Sequence, residues 1–365
     1  MGFRLGIVGL ANAGKSTIFN ALTAIGVPAE AYPFCTVEPN IGKVPVPDER
    51  LDKLAELLKP ERLVPAVLDF VDIAGLVRGA HKGEGLGNQF LSLIRNVDAI
   101  AEVIRCFENE NISHPEGSLD PVRDAEIIIM ELIQKDLETI DRRLEKVRHM
   151  LRVGDKKVQI ELGLLERLKS QLEDLKPIRG MSFTEEETPI IKEMAPLTLK
   201  QIFYVANLGE ESVDAKTHPF LEKLRAHAKE EGLNVVPFWG KLEAEIHELD
   251  KGEQDVFLKE MGLKVSGLSE IIRTGYQILN LVTFYTAVGP ELRAWVLPRG
   301  TTALHAAGKI HTDFEKGFIK AEVATFDDFV AAGGESEARK NGTLRIEGKE
   351  YLIQNSDVVH FRFKA

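Results

Sequence analysis

The chain has 365 residues, 44% of them hydrophobic and 28% charged, and its formal net charge is −11. This composition is typical of a globular protein with room for two or three domains. The acidic balance excludes a surface that is basic all round, so a nucleic acid would have to bind a local patch. Only two cysteines occur, Cys35 and Cys106, which excludes a disulfide framework and a cysteine-rich zinc site.

The N-terminal residues lack the charged segment, apolar core and cleavage site of a signal peptide. No apolar run approaches the ~20 residues that a membrane-spanning helix needs. We therefore expect a cytoplasmic protein without a membrane partner.

The chain begins with an α/β pattern. Residues 3–9 form a short apolar run that ends in glycine, and residues 15–25 carry apolar side chains at helical spacing. Strands and helices then alternate, which predicts a doubly wound, parallel sheet in an α/β domain of residues 1–120 and 200–278. Its further predicted strands are Ala66–Asp72, Ala99–Arg105, Ile202–Ala206 and Asn234–Phe238, and its predicted helices include Glu49–Leu58 and Gln89–Val97.

An inserted helical domain is predicted for residues 121–199. Apolar residues alternately three and four apart form a seam on a first helix, and a second apolar stripe follows a break near residue 153. We interpret the two as an antiparallel, coiled-coil hairpin whose first arm is about 45 Å long. The seam is Met130, Ile133, Leu137, Ile140, Leu144, Val147 and Leu151, and the stripe is Val158, Leu162, Leu165, Leu168, Leu172 and Leu175.

Seven basic residues are clustered near the tip of this hairpin. They suggest a face that contacts phosphates, but acidic neighbours such as Glu138, Asp141 and Glu145 make a solvated, salt-bridged helix an equal alternative. The basic residues are Arg142, Arg143, Lys146, Arg148, Arg152, Lys156 and Lys157.

The last part of the chain, residues 279–365, contains five β-rich runs separated by turn residues. We expect a separate small β domain there, with a hairpin turn at Glu347-Gly348-Lys349.

The segment from Gly9 to Ser16, GLANAGKS, fits the phosphate-loop pattern G-x-x-x-x-G-K-[ST] and lies between a predicted strand and a predicted helix. In such a loop backbone N–H groups surround the β- and γ-phosphates at a helix N-terminus. Lys15 would bridge the phosphates, and Ser16 would bind magnesium. The candidate nucleotide-binding residues here are Asn12, Ala13, Gly14, Lys15, Ser16 and Thr17.

A second element, DFVDIAGL, ends a predicted buried strand. Asp72 is placed to hold Mg²⁺ through water, and the Gly75 N–H is placed to contact the γ-phosphate. Thr36, in the connection between the two elements, is the candidate for a further hydroxyl ligand of the metal. We predict a magnesium site made by Ser16, Thr36 and Asp72.

The residue after D-x-x-G departs from the pattern of Ras-like switches. Those proteins have a glutamine there that orients the attacking water, whereas this chain has Leu76, which can neither donate nor accept a hydrogen bond. Turnover is therefore very slow, or another residue positions the water. The nearby candidates are His81 and His114, and a solvated loop histidine is the alternative for His114.

The base-reading motif Asn-Lys-x-Asp is also altered. Residues 207–210 read Asn-Leu-Gly-Glu, and no asparagine of the chain is followed three residues later by aspartate. Guanine presents two adjacent donors and lacks its usual acceptor here. Backbone groups around Leu208 and the Asn207 amide instead match the donor and acceptor edge of adenine. Glu210 is one methylene longer, so guanine is disfavoured and not excluded. Gly240 lies in the segment that backs the base in such switches.

Several blocks together resemble the YchF/Obg-like ATPase family from end to end. They are NAGKSTIFNALT, YPFCTVEPN, DIAGLVRGA, KGEGLGN, NLGE, AWVLPRGT and AAGKIHTDFEKGFIKAEV. The last two resemble that family's C-terminal TGS domain, a ubiquitin-like β-grasp module. Ala11 and Ala13 differ from the family's usual proline and valine, but neither side chain is needed to touch phosphate.

The resemblance implies an ATP-preferring member of the P-loop GTPase class with a hydrophobic residue, Leu76, in place of the catalytic glutamine. It implies that His114 matches the loop histidine that positions water, that Phe107 packs on adenine, and that Lys15 and His114 are the catalytic residues. Partners implied are the large ribosomal subunit and RNA. Asn12 matches a potassium-binding position of some related GTPases, so K⁺ is a hypothesis beside Mg²⁺.

Three functions follow from these observations. The first is a slow, magnesium-dependent, monomeric ATPase that acts as a ribosome-associated switch. The second is an Obg-type GTPase in ribosome assembly, and the third is a nucleotide-gated adaptor in which turnover is incidental.

Overall fold

A computed structural model describes residues 2–24, 40–73, 75, 86–150, 156–209 and 218–364. The described residues form two compact units. The first holds those of 1–24, 37–42 and 69–275, and the second holds those of 43–68 and 276–365. Among the described residues, no helix is long and apolar enough to cross a membrane.

Twelve strands are seen in the described residues. They are β1 (Arg4–Val8), β2 (Ile41–Pro45), β3 (Arg62–Val64), β4 (Val67–Asp72), β5 (Ala99–Cys106), β6 (Gln201–Leu208), β7 (Val235–Trp239), β8 (Leu281–Val288), β9 (Glu291–Pro298), β10 (Phe318–Ala324), β11 (Arg345–Glu347) and β12 (Val358–Phe363).

Fourteen α-helices are seen in the same described ranges. They are α1 (Lys15–Ala24), α2 (Glu49–Leu58), α3 (Leu86–Arg95), α4 (Pro121–Met150), α5 (Lys156–Glu173), α6 (Thr188–Met194), α7 (Pro219–Glu231), α8 (Gly240–Glu248), α9 (Lys251–Glu260), α10 (Gly267–Ile278), α11 (Ala303–Ile310), α12 (Thr312–Lys316), α13 (Phe326–Ala332) and α14 (Glu335–Lys340).

The first sheet has the order β2-β4-β1-β5-β6-β7, and the neighbours from β4 to β7 are parallel. This confirms the predicted parallel α/β fold. β1 has β4 on one side and β5 on the other, so the strand order reverses at its carboxyl end. In open α/β sheets, ligands bind in the crevice at such a switch point. The phosphate-loop segment, which follows β1, lies at this position.

The predicted helical hairpin is present as α4 and α5. The 30 residues of α4 span about 45 Å. Ile140, Leu144 and Val147 of the predicted seam are buried, as are Leu165, Leu168 and Leu172 of the second stripe. Leu175 is an exception: it is 55% exposed and lies beyond the end of α5 in the left-handed region, with φ 59°. Leu151 lies outside the described residues.

Ion pairs occupy much of the basic cluster on the hairpin. Arg143 pairs with Glu161 and Glu193, Arg148 with Glu166, and Lys156 with Glu186. These contacts join α4 to α5 and to the segment after it, which favours the salt-bridged interpretation. Arg152 lies outside the described residues.

The second sheet has the order β11-β10-β12-β8-β9-β3. β12 is parallel to β8 and β3 is parallel to β9, while the other pairs are antiparallel. Two sequence expectations need correction. The turn near Gly348 does not join two paired strands, because β11 pairs with β10, and Leu352 bridges Thr302 instead.

The second correction concerns residues 43–68, which were predicted to lie in the α/β domain. β3 is paired with β9 through Arg62, Leu63 and Val64, so this segment contributes an edge strand to the second sheet. A strand of three residues has too little periodicity to be recognised locally, and its partner is more than 200 residues away in the sequence.

A buried carboxylate organises one face of the second sheet. Glu322, 2% exposed, contacts Lys320 at 3.0 Å, Arg339 at 2.6 Å and Arg362 at 2.8 Å. Hydrogen bonds, first from the Arg339 guanidinium, hold the pKa of Glu322 well below the usual glutamate range against the opposing effect of burial.

We expect Glu322→Gln to lower the free energy of unfolding at pH 7 by about 2 kcal/mol, because charge-assisted hydrogen bonds are lost. A depressed folded-state pKa stabilises above the ordinary glutamate pKa of about 4.3, and this stabilisation is lost as the pH falls. The difference from the parent chain, measured by urea unfolding, should therefore shrink below about pH 4.

The matched control is Glu337→Gln on α14, which removes an exposed carboxylate from its pair with Lys340. Its effect should stay below about 0.5 kcal/mol. A Glu322→Gln deficit that stayed constant down to pH 3 would contradict the electrostatic account.

Candidate nucleotide-binding site

The phosphate-loop segment forms a tight turn between β1 and α1. Gly14 has φ 99°, in the region that favours glycine, and a Cβ there would lie 2.1 Å from Nδ2 of Asn207. Asn12 also has a positive φ of 63°, which asparagine tolerates. The backbone therefore has the curled conformation that the sequence pattern predicts for a phosphate-binding loop.

The centre of the site has two charged residues, Lys15 and Asp72, and the hydroxyl of Ser16. The Lys15 ammonium donates to the Leu10 carbonyl at 2.8 Å. Burial lowers the pKa of Lys15, and the nearby Asp72 carboxylate opposes that shift. Burial raises the pKa of Asp72, while the Lys15 charge and a hydrogen bond with the Ser16 side chain lower it. The site thus holds a lysine and an aspartate that each stabilise the charge of the other.

Gly75 closes this centre on another side. A Cβ at this position would lie 2.9 Å from Nζ of Lys15 and 3.2 Å from Cα of Ala11. The backbone at residue 75 therefore approaches both the lysine and the phosphate loop. The sequence analysis predicted that the Gly75 N–H contacts the γ-phosphate at this place.

The hydroxyl of Ser16 and the carboxylate of Asp72 fit a magnesium ion. Both are oxygen donors, which Mg²⁺ prefers, and they are hydrogen-bonded to each other at a rim where Ser16 is exposed. Thr36, Leu76 and His81, which the sequence analysis singled out, lie outside the described residues.

The base side of the site is formed by the carboxyl ends of β5, β6 and β7. Cys106 is opposite Leu208, and Leu208 is opposite Trp239, so the loops that follow these strands start side by side. Phe107 lies against Gly209, since a Cβ on Gly209 would be 2.9 Å from Cβ of Phe107. The structure thus brings Phe107 next to the Asn-Leu-Gly segment.

Two further predicted residues lie near this edge. Leu208 is 3% exposed, so its side chain packs inward. Gly240 begins α8, and a Cβ there would lie 3.5 Å from Cγ2 of Thr17 in α1. Phosphate and base sides of the site are therefore contiguous.

Asn207 holds the phosphate loop. Its side-chain Nδ2 donates to the Ala13 carbonyl at 2.9 Å, and the residue is 7% exposed. The sequence analysis placed this amide on adenine. In the structure its nitrogen is occupied by the loop, and the same side chain limits position 14 to glycine.

A loop between β5 and α4 carries His114, and three side chains fix it. Arg105 donates to the carbonyls of residues 107, 109 and 112, at 3.0, 3.2 and 3.0 Å. Nδ2 of Asn12 donates to the Ser113 carbonyl at 3.1 Å. Asp124, in the first turn of α4, accepts from Nε2 of His114 at 2.8 Å.

Sequence reasoning missed Arg105 and Asp124. Arg105 is 5% exposed, and burial lowers its pKa while Asp124 opposes that shift. A charged residue at the end of an apolar strand was the available signal, because a buried guanidinium needs several acceptors. Asp124 gave no local signal, since an acidic residue in the first turn of a helix is common for reasons of the helix dipole.

The same combination of elements occurs in proteins of known family. "Ribosome-binding ATPase YchF" of Escherichia coli O157:H7 is 50% identical to this chain over 365 residues, which is the full length of both. The protein of that name from Bacillus subtilis is 47% identical, again over the full length of both.

The chain belongs to the YchF family.

Domain models and a solved structure agree with this. A model described as a 50S ribosome-binding GTPase matches residues 4–156, and the YchF-GTPase_C model, described as a protein of unknown function, matches residues 281–364. The Schizosaccharomyces pombe YchF GTPase has a TM-score of 0.89 to this structure at 37% identity, covering 99% of this chain and 98% of that one. The YchF-family chain is therefore a P-loop, nucleoside-triphosphate-hydrolysing enzyme, as the sequence predicts.

The role of Asn207 in this YchF-family chain can be tested with two nucleotides. If the amide serves only to hold the Ala13 carbonyl, Asn207→Ala should weaken ATP and GTP binding by the same factor. We expect roughly tenfold, because a buried carbonyl loses its donor. Isothermal titration with both non-hydrolysable triphosphates measures this.

A matched control is Asn111→Ala, which alters an exposed asparagine in the loop after β5. It should leave both affinities unchanged. A change in the ATP/GTP ratio for Asn207→Ala would instead show that the amide reads the base.

Proposed function

We propose that this chain is a slow, Mg²⁺-dependent ATPase that prefers ATP to GTP and acts as a ribosome-associated nucleotide switch. The observation that supports the proposal is that two features occur together in one site. A phosphate loop in which Asp72 interacts with the Lys15 charge and with the Ser16 hydroxyl lies beside a base edge at which the sequence lacks the motif's aspartate.

The preference for adenine is argued from the base edge. Guanine needs an acceptor for two adjacent donors, and the chain has Glu210, which is one methylene longer and lies outside the described residues, in the position of the motif's aspartate. The side chain of Leu208 packs inward, and the backbone at Gly209, just after β6, has N–H and C=O groups for the base. Such groups complement the donor and acceptor edge of adenine, and Phe107 offers a face for stacking.

Hydrolysis requires water to attack the γ-phosphorus while the bond to the β-phosphate oxygen breaks, which releases ADP and phosphate. Lys15 would stabilise charge on the phosphate oxygens, and the Gly75 N–H would contact the γ-phosphate. Mg²⁺, bound through Ser16, Asp72 and Thr36, would neutralise phosphate charge. His114 would orient the water that Leu76 cannot hold.

Potassium at Asn12 stays a hypothesis, since the Asn12 amide nitrogen donates to the Ser113 carbonyl and only its oxygen would remain for the ion. The ribosomal partner is proposed from the relatives named ribosome-binding ATPase. The TGS assignment of residues 279–365, the contact with the large subunit and RNA, the monomeric state and the cytoplasmic location remain predictions.

The choice between ATPase and GTPase is tested by competition. Displacement of a fluorescent ATP analogue should need at least tenfold more GTP than ATP, because guanine's two donors lose water without gaining an acceptor. If GTP displaced the analogue more effectively than ATP, the adenine argument would fail and an Obg-type GTPase would be the better assignment.

Two substitutions separate binding from hydrolysis. Lys15→Ala should abolish nucleotide binding, because it removes the phosphate-facing charge of the loop. His114→Ala should keep ATP affinity within about twofold and lower kcat by about 10²-fold, the usual range for a group that assists proton transfer or orients water. Equilibrium binding and phosphate release measure the two effects.

The control for the histidine is His149→Ala, an exposed histidine in the last turn of α4. It should change neither quantity. Unchanged hydrolysis in His114→Ala would make His114 a bystander and would favour a nucleotide-gated adaptor.

A further inference from the structure

Both ring nitrogens of His114 are engaged. Nδ1 accepts from the N–H of Glu116 at 3.2 Å, so the ring proton is on Nε2 and is donated to Oδ2 of Asp124 at 2.8 Å. The side chains of His114 and Asp124 are only 10% and 4% exposed. In this arrangement the ring has no nitrogen left for a water molecule.

The ring lies on the side of the phosphate loop that faces β5. His114 and Asp124 line a small cleft together with Leu10, Ala11, Ala13 and Val103. These residues form the side of the phosphate loop that faces β5. Lys15 and Gly75, where the γ-phosphate is expected, do not line it.

We propose that Asp124 is a positioning residue that holds His114 withdrawn, and that His114 must leave Asp124 before each hydrolysis step. This inference rests on the proposed function, because it uses the water-orienting role of His114. It adds a second state of the histidine and names the group that stabilises the withdrawn one.

Different residues hold the imidazole ring and the backbone of the loop that carries it. The loop backbone is held by Arg105 and by Asn12, which contact carbonyl oxygens and not the imidazole. Among the described residues, Asp124 is the side chain that hydrogen-bonds to the imidazole. Loss of Asp124 would therefore free the ring while the backbone anchors stay in place.

Asp124 is itself fixed from the other side. Its Oδ1 accepts from Nη2 of Arg123 at 3.0 Å, and Arg123 also contacts the Ser118 hydroxyl at 2.9 Å. Asp124 therefore keeps a cationic partner when His114 departs, so the released state does not leave a bare buried carboxylate. This lowers the free-energy cost of releasing His114.

If Asp124 instead oriented His114 for catalysis, its removal would change kcat in the opposite direction. In catalytic triads a carboxylate orients an active histidine, and its removal lowers kcat strongly. Here the carboxylate occupies the nitrogen that would face water, so its removal should increase turnover. The sign of the change in kcat distinguishes the two roles.

The test uses the full chain and steady-state ATP hydrolysis. Asp124→Ala should raise kcat by roughly tenfold with KM for ATP changed less than twofold, because a charge-assisted hydrogen bond no longer stabilises the withdrawn state. Asp124→Asn, which keeps the shape of the side chain, should show a smaller increase in the same direction. Either variant should lose the increase when combined with His114→Ala.

A spectroscopic measurement checks the same step without activity. Ring ¹⁵N shifts of His114, assigned with His114→Ala, should report a single Nε2–H tautomer in the parent chain and a mixture of tautomers in Asp124→Ala. Asp120→Ala is the control, since it removes the carboxylate that caps the start of α4 and pairs with Lys223 but does not touch the histidine. It should change neither kcat nor the tautomer.

The outcomes are separable from those of the proposed function. If His114→Ala hydrolyses ATP like the parent, the proposed role of His114 fails. If His114→Ala is inactive but Asp124→Ala and Asp124→Asn both show unchanged or lower kcat, the positioning role of Asp124 is wrong. An increase that persists without His114, or that Asp120→Ala reproduces, overturns it as well.

Discussion

The hydrogen bond from the Asn207 amide to the Ala13 carbonyl is the contact on which the rest of the site depends. It joins the end of β6 to the turn between β1 and α1, across a residue pair 194 positions apart in the sequence. The turn can then expose its N–H groups only in the curled conformation, with Gly14 packed against the same amide. Base edge and phosphate edge are thereby fixed to each other by one side chain.

That contact also limits how the base is read. The amide nitrogen that donates to the loop has one of its two N–H groups engaged there, so we assign discrimination between bases mainly to the backbone after β6 and to its neighbours. Phe107 and Gly209 are in contact at this point, so the phenyl ring lies directly beside the backbone that follows β6. On the proposed function, adenine is selected mainly because guanine loses an acceptor that it needs.

The sequence predicted those features that depend on local pattern. The parallel sheet, the phosphate loop and the long hairpin follow from apolar runs, glycine spacing and heptads, each of which is visible within about 30 residues. The strand β3, the pairing of β11 and the anchors of the His114 loop depend on distant partners. Arg105 finds three carbonyl acceptors in a loop, and Asp124 finds a histidine ten residues earlier, and neither partner can be inferred from spacing.

The His114 loop receives its three anchors from three different elements. Arg105 belongs to β5, Asn12 to the phosphate loop, and Asp124 to the first turn of a helix about 45 Å long. A change in the phosphate loop therefore acts on the loop backbone at Ser113, whereas a shift of α4 acts on the imidazole itself. Because the Asn12 and Asp124 anchors are separate hydrogen bonds, the two inputs can alter the position of the histidine independently. On the proposed function, a partner that displaces the start of α4 would change hydrolysis without touching the nucleotide.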